Sequence, residues 1–594
     1  MKTLLVSFVI VSPFATSLAQ SIPTSSNLPI VIVRTNGQSI MDEPKVMADM
    51  GIIYNGAGVR NRITDPLNHY NGKVGIEFRG NTSQNAAKKS FGFETRNADS
   101  SNYNVSLLGM PEENDWVLFN SYDDETYMRD VMTHSLVRKT GRYSTRTAFV
   151  ELFITSDDSL EYEDYRGIYV LMERIKQDKN RVDISKLEYK DSIGNALTGG
   201  YIVKIDHHVG NPGPVWESQY PNECGDFRTD FELHEPKDED VHPAHLTYIQ
   251  NYIHQFETAL LSPNFADPDL GYQKYADVAS FVDYFLFSEV VRSADAYSHS
   301  TYLYKNRDSK GGKLVMGPLW DYNSSTGNTP YNFCAANDTT GWQYQSQRLC
   351  RVDRKQPFWW KRLLDDPAFV AQVQARWNIL RSDILKTSNV VAMIDQNRAI
   401  VAEAQPRDYE RWNVVGERGA FPAEIDYLKE WLTKRMRWMD RNIPQLGNYI
   451  RVSSATPPPI TCESPVQLST YTGKQLTYQW NLNGSPVPGA VNNSIMAHEP
   501  GSYTVNVTLA NDCYTETLTT NPLNRIVKSL QNGDWNQTTT WSCQTVPTSL
   551  DTVIIQSGHV VDIPQSFQAS AASVSLEMAA RINQQLNGSL LLGN

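Results

Sequence analysis

The sequence predicts an α+β fold, with a β-rich N-terminal half, a helix-rich second half and all-β modules at the C-terminal end. Short apolar runs with two-residue alternation dominate up to about residue 206. From about residue 245, apolar side chains recur with the 3.6-residue period of helices. A Pro-rich segment at 451–460 then leads into short strand-like runs between Gly and Asn turns. Because 594 residues exceed what one hydrophobic core organises, we expect two to four domains.

The overall composition is that of a globular chain without a nucleic-acid-binding surface. Hydrophobic residues make up 40% of the chain and aromatic residues 11%, which is enough for well-formed cores. The formal net charge of −12 argues against a nucleic-acid partner, because phosphate binding needs clustered Lys and Arg. A local basic pocket remains compatible with this charge.

Residues 1–19 have the pattern of a secretory signal peptide. Lys2 is followed by an apolar run at 4–15 and by the small residues Ser17 and Ala19 before Gln20. No later segment is apolar over the length that a membrane span needs. We therefore expect a mature chain without a transmembrane segment that is secreted, either extracellular or at the cell surface.

The six cysteines agree with export to an oxidising compartment. Two disulfides are expected from spacing: Cys334 with Cys350, and Cys462 with Cys513. Cys224 and Cys543 have no obvious partner in the sequence.

In the N-terminal half, a polar loop at 79–85 separates two predicted strands, at 73–78 and 88–95. Such a loop can bind phosphate oxygens through its amides and hydroxyls while a lysine neutralises charge. The candidate residues are Arg79, Gly80, Asn81, Lys88 and Lys89. Taken alone, the pattern also fits a surface hairpin with solvated lysines. The alternation leaves open which lysine faces a ligand, since the two point to opposite sides of the strand.

Three further features of this half bear on function. Acidic residues at 123–125 precede a predicted amphipathic helix that extends to residue 139. Glu173 directly follows an apolar strand, as either the first solvated residue or an acid that positions a lysine. His207 and His208 end another strand, and their opposite orientations argue against a shared metal.

The central stretch at 293–328 contains two aspartates on either side of a predicted hairpin. Strand-like runs at 301–305 and 313–320 flank a Gly-rich turn, with Asp295 before the first and Asp321 after the second. The hairpin would bring the two carboxylates together, and paired carboxylates suit a hard divalent cation. Aspartates that only cap turns are the alternative.

The helices predicted in the second half span 248–261, 278–291, 358–364, 366–380 and 425–442. Beyond the linker, residues 461–522 are expected to form an immunoglobulin-like sandwich. Residues 526–594 are expected to form a β-rich repeat module, either a β-helix or a fragment of a sandwich that is incomplete in this sequence. These modules are candidates for contact with glycans or the cell surface.

Six motifs taken in order resemble the CotH kinase family, named after the spore-coat protein H. They read RGNTSQNAAKKSFGFET, DWVLFNSYDDETYMRD, YRGIYVLMERIKQDKNRVDISKL, GGYIVKID, SADAYSHSTYLYKN and GPLWDYNSSTGN, within about residues 70–445. The resemblance implies an atypical protein-kinase-like, two-lobed domain over residues 27–450. It also implies ATP, with Mg²⁺ or Mn²⁺, as cofactors and phosphorylation of Ser or Thr in a secreted or surface protein.

The resemblance assigns a role to each candidate residue. Lys88 or Lys89 would contact ATP phosphates, with Glu173 as the acidic partner. Asp295 would bind the metal or accept the proton of the substrate hydroxyl, and Asp321 would bind the metal.

One position departs from the protein-kinase pattern. Ser300 stands five residues after Asp295, where protein kinases have an asparagine that binds the second metal. A serine hydroxyl can also bind Mg²⁺, but this residue raises a second hypothesis. In it, the chain is a catalytically inactive surface or matrix protein that binds a partner or glycan through its β modules.

Overall fold

A computed structural model describes most of the chain, in the following ranges: residues 22–80, 82–208, 213–222, 227–329, 335–345, 356–413, 419–446, 451–452, 459–462, 464–470, 476–509, 515–520 and 522–592. The helices of these ranges are α1 Arg129–Arg138, α2 Gly194–Leu197, α3 Pro243–Leu261, α4 Val278–Val291, α5 Trp359–Leu364, α6 Pro367–Ser382, α7 Thr387–Val401, α8 Gln405–Trp412 and α9 Phe421–Asn442. The strands up to residue 316 are β1 Ser25–Ser26, β2 Ile30–Arg34, β3 Val46–Ile53, β4 Asn61–Arg62, β5 Tyr70–Arg79, β6 Ser90–Arg96, β7 Asp115–Phe119, β8 Thr147–Thr155, β9 Tyr165–Glu173, β10 Tyr201–Ile205, β11 Val215–Pro221, β12 Arg228–Glu235, β13 Thr301–Lys305 and β14 Leu314–Met316.

The strands after residue 450 are β15 Arg451–Val452, β16 Val466–Ser469, β17 Leu476–Leu482, β18 Ser485–Pro486, β19 Ser494–Ala497, β20 Tyr503–Leu509, β21 Thr515–Thr519, β22 Arg525–Lys528, β23 Gly533–Asp534, β24 Asp551–Ile555, β25 Val560–Ile563, β26 Gln568–Ala571, β27 Ser573–Leu576, β28 Arg581–Gln584 and β29 Ser589–Leu592. The mixture of helices and sheets agrees with the predicted α+β class.

The chain divides into two compact units that do not follow the sequence order. Unit 1 combines Met1–Ser135, Thr145–Ile175 and Val391–Asp426. Unit 2 combines Leu136–Ser144, Lys176–Val390 and Tyr427–Asn594. A segment from the helix-rich half therefore belongs to the β-rich unit.

Unit 1 is built on a closed seven-stranded barrel, β2-β3-β5-β6-β7-β9-β8. The β2–β8 pair is parallel, and the other neighbours are antiparallel. Alternate apolar residues of each strand fill the barrel, as period-two alternation predicts. Buried side chains from β5, β6 and β9 illustrate this core: Val74, Ile76, Phe91, Phe93, Tyr169 and Leu171.

Helix α8 packs against strand β9 of this barrel. Trp412 Nε1 donates to the carbonyl of Arg166 at 2.9 Å, and the Ile168 amide donates to Asp408 at 2.7 Å. Gly167 lies between these two contacts with a φ of +86°, and a Cβ there would overlap Oδ1 of Asp408. Glycine at this position is thus what allows the helix to approach.

Unit 2 contains a five-stranded antiparallel sheet in the order β11-β12-β10-β13-β14. The predicted hairpin is confirmed, with Leu303 opposite Met316. Strand β14 ends at Met316, earlier than predicted, because Pro318 has no backbone N–H to donate. Helix α4 has the predicted bounds and is buried almost throughout, with Phe281 and Phe285 packed beside Trp360.

The C-terminal residues form two groups of sheets. A three-stranded sheet, β15-β16-β19, and a four-stranded antiparallel sheet, β18-β17-β20-β21, contribute to one core around Trp480. The immunoglobulin-like assignment of this group stays a prediction. From Arg525 onward the strands stack in parallel, with Val553 opposite Val574 and Val561 opposite Ile582. Parallel stacking is what the β-helix alternative predicts, and the assignment of this module stays a prediction.

The cysteine pairing differs from the expectation at one position. Cys462 is bonded to Cys543, so the predicted Cys462–Cys513 disulfide is wrong. The bond joins Cys462, four residues before β16, to the C-terminal residues that include the parallel stack, whereas spacing had suggested a bond within the predicted sandwich. The predicted Cys334–Cys350 pair lies outside the described residues.

The sequence led to two expectations about localisation, a signal peptide and a mature chain without a transmembrane segment. The predicted signal peptide lies outside the described residues. In the part of the chain that the structure describes, no helix is both long and apolar enough to cross a membrane. The disulfide is compatible with an extracellular protein.

Candidate active site

In unit 2, the hairpin places the segments that carry Asp295 and Asp321 side by side. The Ala294 amide donates to the carbonyl of Ser324 at 2.9 Å, and the Thr326 amide donates to the carbonyl of Val291 at 2.6 Å. The loop after Asp321 is therefore paired with the segment that leads from α4 to Asp295. Both aspartates are partly exposed. These contacts bring the two segments together, and the convergence of the two carboxylates stays a prediction.

The backbone around the two aspartates is strained. Asp321 has a φ of +64°, and Ser300 has a φ of +48°. Three other non-glycine residues of this region also have positive φ: Arg292, Tyr297 and Thr326. Each such residue costs of order 1–3 kcal/mol, and strained residues concentrate at functional sites. The clustering supports a functional role for this loop region.

A buried charge network beneath the loops holds this strained backbone. Glu289 of α4 accepts hydrogen bonds from Tyr297 Oη at 3.0 Å and from the Gln343 amide at 2.7 Å. Arg435 of α9 contacts the same carboxylate at 3.1 Å. Burial raises the pKa of Glu289, and Arg435 and these donors oppose that shift. The network fixes Tyr297, two residues after Asp295.

In unit 1, Lys88 is committed to a buried ion pair. Its side chain is 1% exposed, and Nζ lies 2.6 Å from Oδ1 of Asp408 and 2.7 Å from the carbonyl of Ile168. The rings of Tyr127 and Tyr169 lie 5.8 and 5.0 Å from the ammonium. Burial lowers the pKa of Lys88, and the Asp408 carboxylate opposes that shift.

Lys89 has a different environment, beside the polar loop. Its ammonium donates to the carbonyl of Gln84 at 2.5 Å, and the side chain is partly exposed. Gln84 in turn donates to the carbonyl of Gly80 at 2.8 Å. Arg79 ends strand β5 opposite Ser90, and Asn81 lies outside the described residues. Of the two lysines, Lys89 is the one in contact with the predicted phosphate loop.

The acidic partner of Lys88 is not the residue that the sequence suggested. Glu173 is fully buried in β9 and pairs with Arg146, with 2.8 Å between Oε1 and Nη1. The carboxylate at Lys88 is Asp408 of α8, a residue that sequence reasoning missed. The signal was weak, because Asp408 lies 320 residues further along the chain in a polar segment.

A small pocket in unit 1 adjoins the Lys88–Asp408 pair. Its volume is about 30 Å³, room for one or two water molecules. Its lining residues are Lys88, Ser121, Tyr122, Glu125, Tyr127, Gln405, Asp408, Tyr409, Gly419, Ala420 and Phe421. Burial raises the pKa of Glu125 to about 7. The pocket thus contains a carboxyl group that titrates near neutral pH.

The donor chemistry of the aspartate pair fits a cation bound together with a nucleotide. Among the described residues, no group of three His, Cys, Asp or Glu side chains is arranged to hold a metal ion. Mg²⁺ at phosphoryl-transfer sites commonly uses one or two protein carboxylates and takes its other ligands from phosphates and water. Asp295 and Asp321 would supply those carboxylates.

Comparison with known protein families accounts for this arrangement. A family model described as CotH kinase protein matches residues 76–439, which is more than half of the chain. The chain belongs to the CotH kinase family. No curated protein matches it.

The CotH match confirms the resemblance drawn from the six motifs. It begins within β5 and ends within α9, so it includes both lysines, Asp295 and Asp321. The β modules after residue 450 lie outside it. Membership in this family indicates a kinase-like function and suggests the use of ATP and a divalent metal.

Proposed function

We propose that this CotH family member is an exported protein kinase. It transfers the γ-phosphoryl group of ATP to a Ser or Thr hydroxyl of a secreted or surface protein. The observation that carries the proposal is the paired arrangement of the Asp295 and Asp321 segments on strained backbone, within a chain of this family.

The family resemblance suggests a role for each residue. Asp295 accepts the proton of the attacking hydroxyl or binds the metal, and Asp321 is the metal-binding carboxylate. Lys89 and the loop amides near Gly80 contact the phosphates, because Lys88 is held by Asp408. A bound Mg²⁺ or Mn²⁺ would neutralise charge on the phosphates.

The reaction is a balanced group transfer. The hydroxyl oxygen forms a bond to the γ-phosphorus, the bond from that phosphorus to the β–γ bridging oxygen breaks, and ADP leaves. The hydroxyl proton goes to Asp295 in the role of proton acceptor. Positioning and charge stabilisation supply nearly all the catalysis in such transfers.

The test uses conservative variants, Asp295→Asn and Asp321→Asn. Asparagine adopts positive φ readily, so Asp321→Asn removes the charge without adding strain at φ +64°. Transfer of labelled phosphate from ATP to the chain itself and to casein is measured with Mg²⁺ or Mn²⁺. We expect the wild type to label both substrates and the labelling rate of both variants to be at least a hundred-fold lower. A loss on the order of a hundred-fold is typical when one electrostatic contact to the transition state is removed. Glu239→Gln, an exposed change in unit 2, is the matched control.

Equal labelling of the wild type and both aspartate variants would refute the proposal. The second candidate function, a catalytically inactive protein that binds a partner or glycan, is favoured by Ser300 and by the appended β modules. Thermal unfolding separates the two, because a nucleotide that binds the folded state raises its melting temperature. Unchanged melting with ATP and Mg²⁺, together with absent labelling, would support the binding protein.

A further inference from the structure

We propose that Asp206 and His207, at the end of β10, position the segment that carries Asp295. The inference rests on the proposed function, since it assigns positioning residues to the same site. Neither residue is part of the aspartate pair, and both lie in unit 2 with it.

The sheet register brings these residues to the catalytic segment. Strands β10 and β13 are antiparallel neighbours with Ile205 opposite Thr301. The next residue after β10 is therefore beside the residue before β13. That places Asp206 next to Ser300 at the edge where the Asp295 segment enters the sheet.

Two contacts join the strand end to the segment. The Ser300 amide donates to Oδ1 of Asp206 at 3.3 Å, where Ser300 has its positive φ. The rings of His207 and His299 stack, with centroids 3.9 Å apart and planes 25° from parallel. Asp206 and His207 therefore contact Ser300 and His299, which follow Asp295 in the same segment.

The orientation of the Asp206 carboxylate is itself fixed. Oδ1 also accepts from the His207 amide at 2.9 Å. Oδ2 lies 3.6 Å from Nζ of Lys204, which also contacts Glu232 of β12 at 3.1 Å. These contacts limit rotation of the carboxylate, so the Ser300 amide meets an acceptor in a defined position.

The hold on residues 299 and 300 extends to Asp295 through one turn of backbone. The amides of Ser298 and His299 donate to the carbonyl of Asp295 at 3.2 and 2.9 Å. A shift at Ser300 would therefore displace Asp295. Displacement of a reacting group by about 1 Å can cost on the order of a hundred-fold in rate.

The experiment compares Asp206→Ala with Asp206→Asn in the full chain. Asparagine retains the side-chain oxygen that accepts from Ser300, and alanine removes it. We expect a kcat roughly ten- to a hundred-fold lower for Asp206→Ala, an unchanged KM for ATP, and recovery of most activity in Asp206→Asn. Glu239→Gln, an exposed change in the same unit, is the matched control.

Hydrogen exchange gives a readout that does not depend on activity. In Asp206→Ala, and to a lesser degree in His207→Ala, the amide of Ser300 should exchange faster, and in Asp206→Asn it should exchange as in the wild type. If Asp206→Ala had the same kcat and the same Ser300 exchange rate as the wild type, the inference would be overturned. Equal defects in Asp206→Asn and Asp206→Ala would also overturn it, since charge rather than positioning would then matter. An inactive wild-type protein would refute the proposed function. The hydrogen-exchange rate of the Ser300 amide in Asp206→Ala would still show whether Asp206 positions this segment.

Discussion

Replacing Lys88 with methionine should lower the stability of unit 1, because it breaks the buried ion pair with Asp408. The change keeps the apolar stem but leaves Asp408, whose side chain is 6% exposed, without its cation. Removing one partner of a buried ion pair typically costs about 3–5 kcal/mol. Two donors remain on Asp408, the Ile168 amide at 2.7 Å and Tyr127 Oη at 3.0 Å. We therefore expect a loss near the lower end, about 3 kcal/mol.

Thermal unfolding measures this loss. For a unit of roughly 150–250 residues, about 3 kcal/mol corresponds to a melting temperature roughly 6–12 °C lower. Hydrogen exchange in β6 and β9 assigns the affected transition to unit 1. The double variant Lys88→Met/Asp408→Asn should recover most of the loss, because a neutral pair leaves no uncompensated charge. Lys89→Met, on a partly exposed side chain, should change stability by less than about 0.5 kcal/mol.

A different outcome would refute this reasoning. If Lys88→Met melted like the wild type but lost affinity for ATP, Lys88 would be the phosphate-binding lysine. The Asp408 pair would then be incidental to folding.

Three further predictions concern stability. Gly167→Ala should destabilise unit 1 by at least about 2 kcal/mol, because a Cβ would overlap Asp408 at a φ of +86°; unchanged exchange protection in α8 would contradict this. Burial raises the pKa of Glu257 from an ordinary 4.5 to about 7. The folded state therefore binds the extra proton between these values, and stability falls by about 3 kcal/mol as pH rises through them. Glu257→Gln should remove this contribution to the pH dependence in urea unfolding between pH 4.5 and 8 and leave that of Glu125, and an unchanged pH dependence would contradict the prediction. Cys462→Ser should lower the stability of the C-terminal residues by about 4–5 kcal/mol, because the Cys462–Cys543 bond closes a loop of 81 residues; equal unfolding with and without reductant would refute this.

The sequence predicted those parts of the fold that local patterns determine. Helix α4 was placed at its observed bounds because apolar residues recur along the segment with a helical period, and in the structure Asp277 caps it, accepting from the Ser280 amide at 2.9 Å. Helix α8 was missed because its segment, QPRDYERW, has no apolar stripe. It is held instead by polar contacts, such as Arg407 with Glu151 at 2.6 Å. Contacts of that kind have no periodic signature in a sequence.

The candidate site shows the same division. The hairpin between Asp295 and Asp321 is local, so the turn residues and flanking strands were sufficient to predict it. Asp206 and Asp408 act through pairing with residues far away in the chain. The residues next to Asp206 and Asp408 in the sequence do not reveal these distant partners.

The two adjacent lysines show why residue type alone does not assign a role. Neighbouring residues entering a strand point to opposite sides, so Lys88 and Lys89 meet different parts of the protein. A helix from the second half of the chain covers Lys88, while Lys89 contacts the loop that precedes it. Lys88 lies on the same side of the strand as the small residues Ser90 and Gly92. It is nevertheless the buried lysine, because helix α8 covers it. Nucleotide affinities of the two methionine variants should therefore be compared at a temperature where Lys88→Met is still folded. Above that temperature, loss of binding would report unfolding and not phosphate contact.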